Sequence, residues 1–297
     1  MKKVQLVYNP TAGDEDHDED QLIELLKNAG YTVYFVSTDD ENWEASLIEK
    51  PEIIYAAGGD GTVHKVTEAL LKNEDVNTEV PIRILPLGTA NNIAKTLGIA
   101  HNKIPETIKE GTRFKAFDCG NINGLGKERF FIESLGLGIF PKLILKMKNE
   151  EIKRTPSEKL KYTHTVLKHL IETYKPTESI IKIDGEIIRD SFLLVEVMNI
   201  KYLGPNLELA PNANPDDSYF DLVLIREHSR KKFSKYIDNL NKNKNNDIDL
   251  RHFTETRRVR SLSILNSNAN LHVDDEVIEN QSDAEIIIEN IPGKFKM

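Results

Sequence analysis

Three times in the first hundred residues an apolar run stops at a turn of small residues. The run "VQLVY" meets Asn9-Pro10-Thr11-Ala12-Gly13, "IIYAA" meets Gly58-Gly59-Asp60-Gly61-Thr62, and "IRILP" meets Leu87-Gly88-Thr89-Ala90-Asn91. Helical patterns lie between the runs. "DQLIELLKNAG" sets Leu22, Leu25 and Leu26 at helical spacing, with Gly30 where a C-cap belongs. "YTVYFVST" adds a β-rich strand, and a helix is expected from near Val63 through "VHKVTEALLKN". Strands alternating with helices predict a parallel sheet covered on both faces. Ligands in such folds bind beyond the carboxyl ends of the strands, where all three turns fall.

After about Asp118 the texture changes. "RFFIESLGLGIF", "SIIKIDGEIIR", "SFLLVEVMNIKYLG", "SYFDLVLIRE", "RVRSLSIL" and "NLHVDDEVI" read as strands joined by turns, which predicts a mainly antiparallel β-sandwich. Two amphipathic helices interrupt it, at about Ser157–Tyr174 and Arg230–Leu240. The expected domains are residues 1–122, α/β, and 123–297, β-rich. Asn241–Asp247 reads as a polar loop.

Composition narrows the function classes. The chain is 39% hydrophobic and 29% charged, as a soluble globular protein is, and no apolar run approaches the ~20 residues of a membrane span. Its opening, "MKKVQLVYNPTAG", reads as a first strand and not as a signal peptide. A single cysteine, Cys119, excludes an internal disulfide and a cysteine metal cluster, so a cytoplasmic location is the default expectation. Residues 1–122 carry 12 Lys and Arg against 21 Asp and Glu, and residues 123–297 carry 27 against 27. Without a broad basic excess, nucleic acid is a poor partner. Arg226–Arg260, with 11 basic and 5 acidic residues, leaves open peripheral contact with an anionic membrane face.

The glycine turns suit phosphate. Glycine lets backbone approach an anion closely, and a helix starting just beyond aims unpaired N–H groups at the same place. Thr62 adds a hydroxyl donor. Asp60 is the informative residue, because a carboxylate beside phosphates repels them unless it holds a metal or takes a proton. The plain alternative is a tight turn with Asp60 as helix N-cap.

"YNPTAG", "AAGGDGTVHKV" and "LPLGTANNIAKTLGI", in this order and spacing, resemble the diacylglycerol kinase catalytic-domain family, which includes bacterial lipid kinases and the sphingosine kinases. "DCGNINGLGKERFFIESLGLGIF", "MNIKYLGPNLELAPNANPDDSYFDLVLI" and "LHVDDEVI" resemble elements of its second domain. The resemblance covers nearly the whole chain. It implies an NAD kinase-like three-layer first domain, and ATP-dependent transfer of the γ-phosphoryl group to a lipid hydroxyl. It places ATP at Asn9, Pro10, Thr11, Ala12, Gly13, Thr38, Gly58, Gly59, Asp60, Gly61, Thr62 and Thr89. Mg²⁺ falls to carbonyls of Asn214 and Tyr219 with the Asp217 carboxylate, an all-oxygen set that suits the ion. Glu276 is implied as proton acceptor with Asp274 beside it, and Asp60 is the second choice for that role or a holder of catalytic Mg²⁺. Asp274 and Glu276, two apart on an expected strand, would share one face.

Departures from the family pattern are His64-Lys65 for Asn-Glu, Asp275 and Ser218 for glycines, and an acidic run, Asp14–Asp20, where the family is usually basic. An intact Asp-Gly-Glu at Asp184–Glu186 reads instead as a hairpin turn. An NAD kinase-like enzyme with a soluble substrate and a nucleotide-binding regulator without turnover stay as alternatives. Neither the lipid nor the oligomeric state, a homo-oligomer included, is legible.

Overall fold

The structure is a computed structural model. It describes all residues except 14–17, 49, 73–78, 101–103, 110–112, 127–128, 149–154, 177, 243–248, 266–269 and 280–284. Most of the acidic run and of the polar loop at 241–247 therefore lies outside the described residues. Internal contacts divide the chain into two compact units, Met1–Asp118 with Pro292–Met297, and Cys119–Ile291.

The first unit holds a parallel sheet of β1 (Lys2–Tyr8), β2 (Tyr31–Ser37), β3 (Ile53–Gly58) and β4 (Ile82–Pro86), in the order β2-β1-β3-β4. Buried on both faces, β3 reads as an unbroken apolar run, as parallel strands do, and β4 is apolar apart from the buried Arg83. Helix α1 (Glu19–Asn28) begins at Asp18, whose carboxylate accepts the N–H groups of Asp20 and Gln21. The described end of the acidic run thus serves a helix N-terminus, where negative charge is favourable. Leu22 and Leu26 of α1 pack with Val4, Leu6 and Tyr55 of the sheet. Helix α2 (Asp60–Lys72) starts at Asp60, three residues earlier than the sequence suggests. Short helices α3 (Asn92–Thr96) and α4 (Ile104–Lys109) follow β4. The last residues return to this unit, where Met297 and Lys115 exchange backbone hydrogen bonds.

Crossing into the second unit, β5 (Ala116–Asn123) leads to β6 (Arg129–Phe131), β7 (Ser134–Gly138), α5 (Ile139–Lys148) and α6 (Pro156–Thr173). Next come β8 (Glu178–Ile183), β9 (Glu186–Met198), β10 (Tyr202–Leu203), β11 (Leu207–Glu208), β12 (Phe220–Arg226) and α7 (Arg230–Asn241). β13 (Glu255–Val259), β14 (Ser261–Leu265), β15 (Leu271–Val273), β16 (Glu276–Ile278) and β17 (Ile286–Lys296) complete the chain. The large sheet runs β16-β15-β7-β9-β8-β14-β17-β5-β6, with β12 joining β9 to β13. Antiparallel pairs build it, as in β7–β9, β8–β9 and β12–β9. Strand β9 shows how the sheet makes two cores. Val195 and Val197 enter one with Phe131, Phe220 and Leu135, while Leu194 and Met198 face the other with α5, α6 and α7.

Helix α6 carries a full capping box at Thr155 and Glu158, and α7 buries Phe233, Tyr236 and Ile237 against the second core. The apolar stripe of α7 is thus internal packing and does not lie on a bilayer. No helix among the described residues is long and apolar enough to cross a membrane. Asp184 and Gly185, at φ +49° and +84°, join β8 to β9 as a hairpin whose two positive φ values suit a type I′ turn. Two expectations fail. "GIF" does not extend a strand, because Gly138 at φ +104° ends β7 and α5 begins at Ile139. "HVDDEV" is not one strand but a hairpin, β15 and β16, turning at Asp274-Asp275.

Candidate functional site

The three turns of the first unit are knitted to one another at the carboxyl edge of its sheet. Gly59 and Gly88 lie backbone to backbone: a Cβ on Gly88 would collide with the Cα of Gly59, and one on Gly59 would stand 3.2 Å from Gly88 Cα. Leu87 N–H donates to Gly58 O at 2.9 Å. The Asp60 carboxylate accepts Asn92 N–H at 2.8 Å and Ile93 N–H at 3.0 Å. It therefore caps α3, whose own N-cap residue, Asn91, makes no side-chain cap bond to that helix and instead holds Gly88 N–H at 3.0 Å. Asn9 Nδ2 donates to Thr62 Oγ1 at 3.0 Å, and Asn9 Oδ1 accepts both the N–H and the hydroxyl of Thr11. Thr62 is 2% exposed, so it braces the first turn against the second.

Two features of this edge bear on ligand binding. The first residues of α2 have no carbonyl four back within the helix, although Thr62 and Val63 turn their N–H groups onto Gly59 O. Thr38 follows β2 and donates its N–H to Tyr8 O, but its hydroxyl is buried and has no hydrogen-bond partner. A buried hydroxyl left unpaired is rare enough to need a reason, and a bound polar group supplies one. Pro10, Ala12, Gly13, Gly61 and Thr89 lie in the same turns. Lys65 is exposed on α2.

In the second unit the β15–β16 turn carries Asp274 and Glu276, but not on one face of a strand. Asp274 sits in the turn at φ +50°, is 7% exposed, and spends its carboxylate on the N–H groups of Ile132, Glu133 and Ser134 at 3.1, 2.8 and 3.0 Å. Its own N–H donates to Ser134 O at 2.8 Å. Asp274 is a clamp that pins the hairpin to the start of β7. Glu276 is accessible, with its side chain 60% exposed and bonded to Arg129 Nη1 at 2.8 Å. Asp275 is exposed and lacks a positive φ, so a residue with a side chain fits there. Glu186 of the other Asp-Gly-Glu pairs with Arg257 at the surface, 2.7 Å apart.

A model of the diacylglycerol kinase catalytic domain matches residues 3–122, the part that holds the three turns. A model of the YegS C-terminal NAD kinase beta sandwich-like domain matches residues 146–294. The chain belongs to the diacylglycerol kinase catalytic-domain family. A diacylglycerol kinase of Bacillus subtilis (strain 168) is 27% identical over 243 residues, 78% of this chain and 77% of that protein. One from Staphylococcus aureus (strain MRSA252) is 27% identical over 242 residues, 76% of this chain and 71% of its own. Two solved structures from Bacillus anthracis str. Sterne, the second described as a diacylglycerol kinase, share the fold, with TM-scores of 0.75 and 0.71 at 24% and 22% identity. Each match covers 100% of this chain and 96% of the other. As a member of the diacylglycerol kinase family the chain is a lipid kinase, and a kinase uses ATP.

The residues matched to the family's metal positions form a loop before β12. Asp217 Oδ1 accepts Tyr219 N–H at 3.0 Å, and its Oδ2 accepts Arg258 Nη2 at 2.8 Å. Arg258 and Arg260 both lie over the Tyr219 ring, 4.3 and 4.6 Å from its centroid. Ser218 has φ +65°, which explains a glycine preference at that place. A cation at Asp217 would have to compete with the Arg258 charge already paired to this carboxylate, so the carboxylate is a poor fit for Mg²⁺ as it stands. Asn214 is in the same loop, and no cluster of three or more His, Cys, Asp or Glu suited to a metal occurs among the described residues. Asp221, 7% exposed, lies close by. Burial lifts its carboxyl to about 6, with Arg258 opposing and Asp217 reinforcing the rise.

Three groups were not singled out in the sequence. Arg129 pairs with Glu276, His272 is buried beside the Asp274 turn, and Glu196 is buried against His272. Glu196 did leave a signal: a lone acid inside "FLLVEVM" cannot sit in a core strand without a partner.

Proposed function

We propose that the protein transfers the γ-phosphoryl group of ATP to the free hydroxyl of diacylglycerol or a closely related lipid. The observation that carries this reading is the pair of glycine turns pressed together at Gly59 and Gly88, with Asp60 locking one to the helix of the other. Such an edge offers backbone N–H groups to phosphates with no side chain in the way. The turns Asn9–Gly13, Gly58–Thr62 and Thr89, with the unpaired hydroxyl of Thr38, are assigned to the nucleotide.

In the reaction the lipid hydroxyl oxygen bonds to the γ-phosphorus as the bond to the β,γ-bridging oxygen breaks, and ADP leaves. The hydroxyl proton passes to a carboxylate, which we assign to Glu276, an exposed acid that stands at the family's proton-acceptor position. Arg129 holds that carboxylate in place. Asp274 acts through its clamp on residues 132–134, and Asp60 through its cap on α3. Charge growing on the phosphoryl oxygens meets the N–H groups of the turns. Mg²⁺ enters as the counter-ion that ATP carries, and it neutralises phosphate charge when bound. No carboxylate of the chain is assigned to it.

Glu276→Gln tests the assignment, since it keeps size and hydrogen bonding but cannot accept a proton. It should lower kcat by ~10²–10⁴-fold with KM for ATP nearly unchanged. Glu186→Gln, on the other hairpin, should leave kcat within twofold of wild type, about the effect of a lost surface ion pair. A large loss at Glu186 with none at Glu276 would assign the base to the wrong hairpin.

A further inference from the structure

A buried acid and a buried imidazole lie behind the Glu276 hairpin. Glu196 of β9, Gly136 of β7 and His272 of β15 stand side by side across the sheet, Gly136 opposite Glu196 and His272 opposite Gly136. All three point to the helix-covered face, because their neighbours Val195, Val197, Leu135, Leu137, Leu271 and Val273 point into the other core. Glu196 is 0% exposed and His272 1% exposed. They meet over the glycine, with His272 Nε2 3.0 Å from Glu196 Oε1 and 3.1 Å from Oε2. A Cβ at Gly136 would collide with Glu196 Oε2, so only glycine lets the carboxylate cross the strand. The far nitrogen, His272 Nδ1, is 2.8 Å from the carbonyl oxygen of Asp274. That carbonyl belongs to the left-handed residue on which the hairpin turns.

Both ring nitrogens face acceptors. If Nδ1–H donates to the Asp274 carbonyl, Nε2 needs a second proton between itself and Glu196. Removing that proton leaves a lone pair against the carboxylate or a lone pair against the carbonyl. The charged groups facing the ring are Glu196 from β9 and Asp274 from its own hairpin; β7 brings Gly136, and α5 brings the Phe140 ring, 6.0 Å away between centroids. Burial pushes the imidazolium down, but Glu196 and the Asp274 backbone outweigh it and hold it above the ordinary histidine value.

We propose that His272, bridged to Glu196 across Gly136, is a positioning residue that sets the Glu276 hairpin by donating Nδ1–H to the Asp274 carbonyl. The proposal rests on Glu276 as the proton acceptor. Asp274 is then fixed by three contacts: its N–H on Ser134, its carboxylate on residues 132–134, and its carbonyl on His272. A non-glycine residue at φ +50° is strained, so it needs such over-determination. The contribution is complete below the unfolded histidine value of about 6.5 and is lost as pH rises through the higher folded value.

His272→Gln can reach one of the two partners but not both. It should lower kcat per folded molecule by roughly ten- to a hundredfold, the cost of a small misplacement, with KM for ATP within twofold. Hydrogen exchange at the Asp274 amide should speed up in parallel. In Glu196→Gln the amide N–H can donate to Nε2 of a neutral ring whose Nδ1–H still reaches Asp274. That variant should keep near-normal kcat at pH 7 and lose the alkaline fall that His272 gives the wild type. In ¹⁵N-histidine NMR of the wild type at pH 7, both nitrogens of His272 should carry protons, and only one should in Glu196→Gln. Unchanged exchange at Asp274 in His272→Gln, or a wild-type ring with no proton on Nδ1, overturns the positioning whatever Glu276→Gln does. Should His272→Gln fail to fold, retention of the alkaline fall in Glu196→Gln overturns it as well. Unchanged kcat in His272→Gln beside a lowered kcat in Glu276→Gln breaks the link to the reaction alone.

Discussion

Asp60 is the residue at which two roles make opposite demands, and substitution separates them. Its carboxylate accepts two backbone N–H groups, those of Asn92 and Ile93, at 2.8 and 3.0 Å. Both residues are buried, at 2% and 0% exposure, so no water readily replaces the lost acceptor. A hydrogen bond to a charged group contributes about 1.5–3 kcal/mol and a helix cap about 0.5–2 kcal/mol. For the pair, allowing for overlap, Asp60→Ala should cost about 3 kcal/mol. At about 2.1 cal/mol/K per residue over a chain of 297 residues, that is a fall of roughly 5 °C in Tm. Asp60→Asn keeps one acceptor and should fall about half as far. Differential scanning calorimetry of the full chain reads both, and ATP binding should weaken in the same order, because the cap aligns the Gly88 turn with Gly59. An unchanged Tm in Asp60→Ala together with lost turnover would refute the reasoning and move Asp60 from the scaffold to the chemistry.

Asp221 predicts a pH effect. Its carboxyl is raised to about 6, chiefly by burial, against about 3.9 in an unfolded chain. Between those values the folded state keeps a proton that the unfolded state releases, so stability should fall as pH rises from 4 to 6 and level above. Asp221→Asn should remove that slope and unfold at a higher temperature than wild type at pH 7.5; equal slopes in the two proteins would contradict this. At the neighbouring carboxylate, Arg258→Ala should uncover Asp217. Millimolar Mg²⁺ should then raise the Tm of the variant but not of the wild type, and a larger shift in the wild type would show that the ion displaces Arg258 unaided.

Much of the first unit was legible because its signals are local. Continuous apolar runs, glycine turns and helix caps recur in order, and each strand of the parallel sheet can be read without its neighbours. The start of α2 was missed by three residues because glycines conceal a helix whose first turn is held by the next one, through Asp60. The second unit depends on distant pairings. The Asp184-Gly185 turn was readable from its glycine, whereas the Asp274-Asp275 turn has none and looked like a strand. Its shape comes from residues 132–134, about 140 positions away, and from His272, itself held by Glu196. Helix α5 was hidden because "LGLGIF" is apolar on both sides of its break, and only the positive φ of Gly138 marks the change.

The central claim is tested most directly by offering the wild-type protein labelled [γ-³²P]ATP with Mg²⁺ and three acceptors together: detergent-dispersed diacylglycerol, a sphingoid base and NAD. The account predicts label in an organic-soluble phosphatidate, formed from diacylglycerol and lost in Glu276→Gln. Label appearing in NADP, or ATP bound with no labelled product at all, would contradict it.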